Sequence, residues 1–290
     1  MTNLDVGSLT VVGTGFGGGG QITADASHTI ATSEKVLYLV DDASTAEWIR
    51  AANPTSESLG DCYLGRDDRL KTYFDIAERI LSFVRRGLRV CAVFYGHPGV
   101  FVYPSHEAIV RARNEGFEAR MLPGVSAADC LFADLGVDPG RRGCLAFDAT
   151  DFLVRRRQAD VTVPMILWQV GAVGRVDYPR DGNHDNIKIL SDVLEELYGR
   201  GHEVVIYEAA RTPGCHPRIE FVCLENLPTA SINLISTIYL PPRDEPLVDA
   251  DMARRLAMPE DFLLSSKGVA SGYIPWRPHA GPKPRRPQGG

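Results

Sequence analysis

Nothing in this sequence asks for a bilayer, a disulfide frame or a zinc ion. Its first nine residues hold no Lys or Arg, so there is no signal-peptide n-region. No apolar run approaches the roughly 18 residues needed to cross a membrane. The six cysteines (Cys62, Cys91, Cys130, Cys144, Cys215, Cys223) form no CxxC pair and keep no regular spacing, which reads as free thiols in a reducing compartment. An excess of basic charge is also missing. A net charge of −6 gives no overall field to attract nucleic acid. Hydrophobic residues at 44% and charged residues at 23% exclude disorder, collagen and coiled coil. What is present is 290 residues, a prior of about two domains at roughly 150 residues each. That is enough chain to bury a core unaided. The expectation is a soluble cytoplasmic enzyme of two α/β domains, with no nucleic-acid or membrane partner.

Short apolar runs alternate with amphipathic ones, as strands do when they cross over through helices. Ser8–Gly13, Val36–Asp41, Leu88–Tyr95 and Phe117–Leu122 read as strands of a first half. Lys71–Arg86 sets Tyr73, Ile76, Ala77, Ile80, Leu81 and Val84 at helical spacing and stops at Gly87. A further helix is expected from an N-cap at Ser105 to a stop at Gly116. Ser126, with Asp129 three residues on, gives a capping-box-like start to another. In the second half Cys144–Ala149, Pro164–Val170, Glu203–Glu208, Ile219–Leu224 and Ser231–Leu240 read as strands, and Asn186–Gly199 as a helix. Pro123-Gly124 interrupts the pattern and divides the chain into domains 1–122 and 123–242, with an extension at 243–290. From Phe262 onward there is no Asp or Glu, and five prolines lie between Pro275 and Pro287. That stretch is expected to be flexible from about residue 265.

Three strand-end junctions carry the candidate chemistry. Gly13, Gly15 and Gly18 fit the GxGxxG pattern of a dinucleotide site, but four consecutive glycines start a helix poorly, and Asp41 and Asp42 come late for a ribose contact. A tight turn where backbone approaches backbone or ligand is at least as good a reading. Phe94-Tyr-Gly-His-Pro-Gly-Val-Phe101 ends a buried strand with small side chains and exposed backbone groups, suited to grip a polar small molecule outside the carboxyl ends of strands. His97 has no nucleophile or carboxylate partner nearby in sequence and reads as a turn residue. At Leu122–Asp129 the helix N-terminus offers free N–H groups, which Ser126 can cap or leave to a ligand.

Taken together, GTGFGGGGQIT, VFYGHPGVFVYPSHEAI, RMLPGVSAADCLFADLGVDP and ILWQVG resemble the tetrapyrrole methylase superfamily of S-adenosylmethionine (SAM)-dependent methyltransferases. Within it, YGHPGVF and LPGVSAADCLFADL are similar to the borosin peptide backbone α-N-methyltransferases. The resemblance runs from about Leu9 to Pro242. It implies an α/β fold of two α/β/α domains with SAM in the cleft between them, which displaces the dinucleotide reading. By motif position it implies cofactor contacts from Tyr95, His97, Val100 and Phe101, then Ser126 and Ala127, then Gln169, then Thr237. It also gives weight to Tyr63, Arg69 and Tyr73, whose spacing matches a Tyr, an Arg and a second Tyr over the methyl-transfer site of borosin enzymes. Without the resemblance, Tyr73 belongs to a helix's apolar stripe and Arg69 is a surface charge.

The implied reaction passes a methyl group from SAM to a peptide nitrogen of a ribosomally made precursor, leaving S-adenosylhomocysteine (SAH). An amide nitrogen is a poor nucleophile because its lone pair is delocalised into the carbonyl. Tyr63, its phenolate favoured by the Arg69 cation, is the expected general base. Arg69 or Tyr73 is expected to stabilise charge on the carbonyl oxygen. No metal-ligand cluster stands out. Related enzymes act as homodimers, and fused ones methylate their own C-terminus. Here 48 residues follow Pro242, few for a clasp and a peptide, and Gly268–Gly290 is Pro-rich apart from Val269–Ile274, so a separate precursor acting in trans is expected. The competing readings are a methyltransferase for a tetrapyrrole or other small molecule, which leaves the Tyr63/Arg69/Tyr73 group unexplained, and a SAM-binding scaffold without catalysis.

Overall fold

The computed structural model describes residues 7–17, 19–63, 68–175, 183–212 and 214–258. The tail, including Val269–Ile274, lies outside the described residues. The first half holds β1 (Ser8–Gly13), β2 (Lys35–Leu39), β3 (Glu57–Ser58), β4 (Arg89–Phe94) and β5 (Glu118–Met121), with α1 (Ala24–Thr32), α2 (Ala43–Ala52), α3 (Arg69–Val84) and α4 (Tyr103–Asn114). These strands form one parallel sheet in the order β3-β2-β4-β1-β5. Alternate residues of its central strands feed two cores. Leu9, Val11, Val90, Ala92 and Phe94 pack with Ile76, Ile80, Leu81 and Val84 of α3. Val12, Cys91 and Val93 pack with Ala26 and Ile30 of α1 and Ile49 of α2. Being covered on both faces is why Val90–Phe94 reads as an unbroken apolar run.

The second half holds α5 (Ala127–Leu135), α6 (Pro139–Arg142), β6 (Leu145–Asp148), α7 (Ala149–Val154), β7 (Met165–Trp168), α8 (His184–Tyr198), β8 (Glu203–Glu208), β9 (Arg218–Cys223), β10 (Thr237–Leu240) and α9 (Ala250–Arg255). Its sheet runs β6-β7-β10-β8-β9, parallel only between β6 and β7. One face buries Ile187, Leu190 and Leu194 of α8. The other packs Leu131 and Leu135 of α5 on Ile166, Val205, Tyr207 and Tyr239. Both sheets are therefore α/β/α sandwiches. No helix among the described residues is long and apolar enough to cross a membrane.

The structure shifts two of the expected elements. The fourth helix starts at Tyr103, not after Ser105, because Pro104 suits the first turn and needs no N–H partner there. Ser105 is instead fully buried, and its hydroxyl lies 2.5 Å from the Pro98 carbonyl and 2.8 Å from that of Val102. It ties the helix to the Gly96–Phe101 loop. Ser105→Ala leaves buried carbonyls without this donor and should cost about 1–3 kcal/mol, read as a lowered unfolding midpoint. The last strand is shorter than Ser231–Leu240, since residues before Thr237 form a turn built on Asn233.

Candidate functional site

The chain leaves β1 in one direction and β4 in the other, so the carboxyl ends of these neighbours form a crevice of the kind ligands occupy. There the two following loops meet backbone to backbone. The Gly15 and Gly96 N–H groups donate to each other's carbonyl at 3.3 and 2.9 Å. A Cβ on Gly13 would lie 2.2 Å from the Gly96 carbonyl oxygen and 2.7 Å from Pro98, so only glycine fits. Among the described residues, no helix starts in the glycine turn. The first begins at Ala24 behind a Thr23 cap, Asp42 caps α2, and Asp41 pairs with Arg211, which leaves nothing of a dinucleotide fingerprint.

A cleft opens between the two halves, with about 700 Å³ of space counting its mouth. It is lined by Tyr95, His97, Val100, Phe101, Ser126, Ala127, Gln169 and Thr237, all eight residues expected to contact a cofactor. The structure thus brings together positions spread over about half the chain. Sequence reasoning missed Phe16, Gly96, Trp168, Leu234, Ile235 and Ser236, which complete the lining. Phe16 was signalled only as the one large residue in a glycine turn. Leu234 and Ile235 were absorbed into an expected strand.

Each wall has a local cause. The Gly99 N–H donates to His97 Nδ1 at 2.9 Å, which leaves Nε2 as the N–H end of the ring. Ser126 and Asp129 form a reciprocal capping box on α5, with Ser126 N–H donating to the carboxylate at 2.7 Å and its hydroxyl accepting from Asp129 N–H at 3.2 Å. Capping and lining are both geometrically true of Ser126. Phe101 and Gln169 sit at φ +56° and +58°, a conformation that costs a non-glycine residue energy and clusters at binding sites. The Phe101 ring lies 5.9 Å from that of Trp168 across the two halves. Gln21 braces Phe16 by accepting its N–H at 2.8 Å.

A second chamber shares Phe16, Tyr95, Ala127, Ile235 and Thr237 with the cleft and adds Asp41, Tyr207, Ala209 and Arg211. Desolvation raises the Tyr95 phenol pKa, the Asp41 carboxylate and Tyr73 push it further up, and the Arg211 and Arg69 cations pull it down. Arg69 and Tyr73 are therefore within electrostatic reach of the cleft wall.

Among the three residues expected at the chemistry, Arg69 and Tyr73 are in contact. Arg69 opens α3 behind the Asp68 cap, and its Nη2 donates to the Tyr73 hydroxyl at 3.3 Å one turn on. Tyr73 leaves the apolar stripe to stack on Tyr103, ring centroids 6.0 Å apart, just after the Gly96–Phe101 loop. Tyr63 ends the turn Gly60–Tyr63 and packs half-buried against the first core. Arg79 of α3 pins that turn, with Nη1 2.7 Å from both Asp61 oxygens, and its hydrogen bond holds the Asp61 carboxyl below the usual range.

Comparison with known proteins places this geometry. The family model for Tetrapyrrole (Corrin/Porphyrin) Methylases matches residues 8–216. The methyltransferase/ribosomally synthesized cyclic peptide dendrothelin A precursor of Dendrothele bispora is 45% identical over 272 residues, covering 92% of this chain and 64% of its own. A methyltransferase/ribosomally synthesized type I borosin cyclic peptide precursor of Coprinopsis marcescibilis is 39% identical over 293 residues, covering 97% of this chain and 73% of its own. The chain thus spans less than two thirds of the length of the first of these relatives. Uroporphyrin-III-C-methyltransferase from Thermus thermophilus shares the fold, with a TM-score of 0.58 at 20% identity over 82% of this chain and 93% of that one.

Proposed function

The chain belongs to the tetrapyrrole (corrin/porphyrin) methylase family, in its borosin branch, and on that premise we propose that it methylates backbone amides of a ribosomally made peptide. The observation that carries the reading is the cleft, where eight residues named from four separate stretches of the sequence line one space. Bound there, SAM would supply an electrophilic methyl group on a sulfonium.

The residues present fit such a molecule. Tyr95, Val100, Phe101, Leu234 and Ile235 are all more than a third exposed, so their apolar faces are open to a ligand. Ser126, Thr237 and the His97 ring supply a few polar contacts among them. The Gly13, Gly96 and Gly124 backbones approach one another beside the cleft, so none of the three puts a side chain into it.

On the acceptor side, Tyr63 takes the amide proton as general base. Arg69, held by its hydrogen bond to Tyr73, and the Tyr73 hydroxyl donate to the carbonyl oxygen as negative charge develops on it. The α3 N-terminus adds the positive end of a helix dipole beside that oxygen. The peptide nitrogen must be presented along the line of the breaking bond, a matter of positioning.

We read the methylated peptide as a segment other than residues 243–290, reaching the site as a separate chain, and the enzyme as a homodimer. Support for the first comes from composition, because a proline inside a chain has no amide hydrogen to replace. Both relatives described above carry precursor in their printed names, so the alternative is a peptide joined to its own enzyme. Intact-mass spectrometry separates them. The chain expressed alone should keep its encoded mass, and a short peptide encoded beside it should gain methylene increments on coexpression. Increments on the chain itself would mean self-methylation. Methyl transfer to a tetrapyrrole with none to any peptide would overturn the proposal.

A further inference from the structure

Glu208 ends β8 one residue beyond Tyr207, outside the lining of the cleft. Its side chain is 13% exposed, and a single oxygen, Oε1, accepts three hydrogen bonds. The donors are Arg218 Nη1 at 2.7 Å, Asn233 Nδ2 at 2.8 Å and Ser236 Oγ at 2.7 Å. Two of these bracket Leu234 and Ile235, which line the cleft together with Ser236 and Thr237.

The bracketed loop is tightly wound. The Ile235 N–H donates to Asn233 Oδ1 at 2.9 Å, and the Asn233 N–H donates to Ser236 Oγ at 3.0 Å. This winding turns Leu234 and Ile235 outward, 49% and 46% exposed, at the rim of the cleft. Behind the loop lies Gly171, where a Cβ would sit 2.1 Å from the Asn233 carbonyl oxygen. The loop is thus caught between a carboxylate that pulls it toward β8 and a backbone that leaves no room on the other side.

We propose that Glu208 is a positioning residue for the cleft, setting the loop 233–236 so that donor affinity depends on a side chain outside the lining. The proposal rests on the reading of the cleft as the SAM site. Hydrogen bonds to an ionised acceptor are about twice as strong as neutral ones, so this oxygen outweighs the loop's internal contacts. Without it, the Ser236 hydroxyl, in a residue 1% exposed, and the half-buried Arg218 cation must find water, and the loop must move to let them. Glu220 supplies the control. It pairs with Arg218 at 2.5 Å, yet its hydrogen bonds reach neither Asn233 nor Ser236.

The test is calorimetric titration of the full chain with SAH, beside thermal unfolding. Glu208→Ala should weaken SAH binding about tenfold to a hundredfold, the loss expected for one or two charge-assisted bonds. Glu208→Gln, which keeps an acceptor oxygen, should recover part of that loss. Asn233→Asp sits at an exposed position and faces Glu208 with a second carboxylate. It should weaken binding about tenfold, and it decides the matter alone if Glu208→Ala does not fold. Glu220→Gln should leave affinity unchanged. A role confined to stability would lower the melting temperature and leave SAH affinity intact in folded protein. Unchanged affinity in Glu208→Ala and Asn233→Asp, with the wild type binding SAH, overturns the proposal and spares the cleft. A wild type that does not bind SAH overturns the cleft reading, and the proposal with it.

Discussion

Tyr63→Phe should abolish methyl transfer while SAH binding stays close to that of the wild type. The substitution removes one oxygen from a ring packed half-buried on the first core, and Arg79 still holds the Gly60–Tyr63 turn through Asp61. On the proposed mechanism, what is lost is the proton acceptor. Without it the amide lone pair stays in resonance with its carbonyl, and a loss of about 10²–10⁴-fold in rate is expected from removing a general base. Arg69→Ala should cost a similar factor by a different route. It removes the cation and also releases the Tyr73 hydroxyl, which Arg69 holds at 3.3 Å. Single-turnover methyl transfer to a peptide, measured beside SAH titration, separates the two steps. Full activity in either variant takes that residue out of the chemistry. Activity and SAH binding lost together would make the role structural.

Gly13→Ala is expected to damage both the first sandwich and the cleft. The added methyl would meet the Gly96 carbonyl oxygen at 2.2 Å and Pro98 Cδ at 2.7 Å, and neither belongs to a flexible side chain. Gly124 closes the remaining side, with the Gly96 carbonyl oxygen 3.2 Å from its own Cβ position. Relief therefore requires moving the whole loop that carries Tyr95, His97, Val100 and Phe101. Overpacking of this kind costs about 1–3 kcal/mol, and the displaced loop should lose SAH affinity as well. Chemical denaturation reports the first effect and calorimetry the second. A variant with wild-type midpoint and affinity would mean that the strand ends separate easily.

Most strands and the long helices were legible because buried parallel strands and amphipathic helices leave periodic signals. Leu88–Tyr95 and Lys71–Arg86 matched β4 and α3 to within two residues. The cleft lining was legible only through the motifs, since no periodicity ties Tyr95 to Thr237. Ser105 misled because a serine before a helical run resembles a cap, while Pro104 fixes an earlier start. Leu234 and Ile235 misled because an apolar pair beside a strand looks like more strand. The signal against it was Asn233, whose side chain makes its own turn and ends the extended run. Glu208 gave no sign at all. A carboxylate at a strand end looks like any surface charge until its three donors are seen in space.

The position of β10 bears on how the protein is made. Ile238 stands level with Leu167 on one side and Ile206 on the other, antiparallel to both, so the strand made last among those described enters the middle of its sheet. A nascent chain stopped short of Leu240 would hold β6 and β7 apart from β8 and β9, two unpaired edges facing each other. Vectorial folding can complete the first sandwich early, but the second must wait for its keystone. Ligand-responsive stability in truncated chains would then switch on over a few residues around 240.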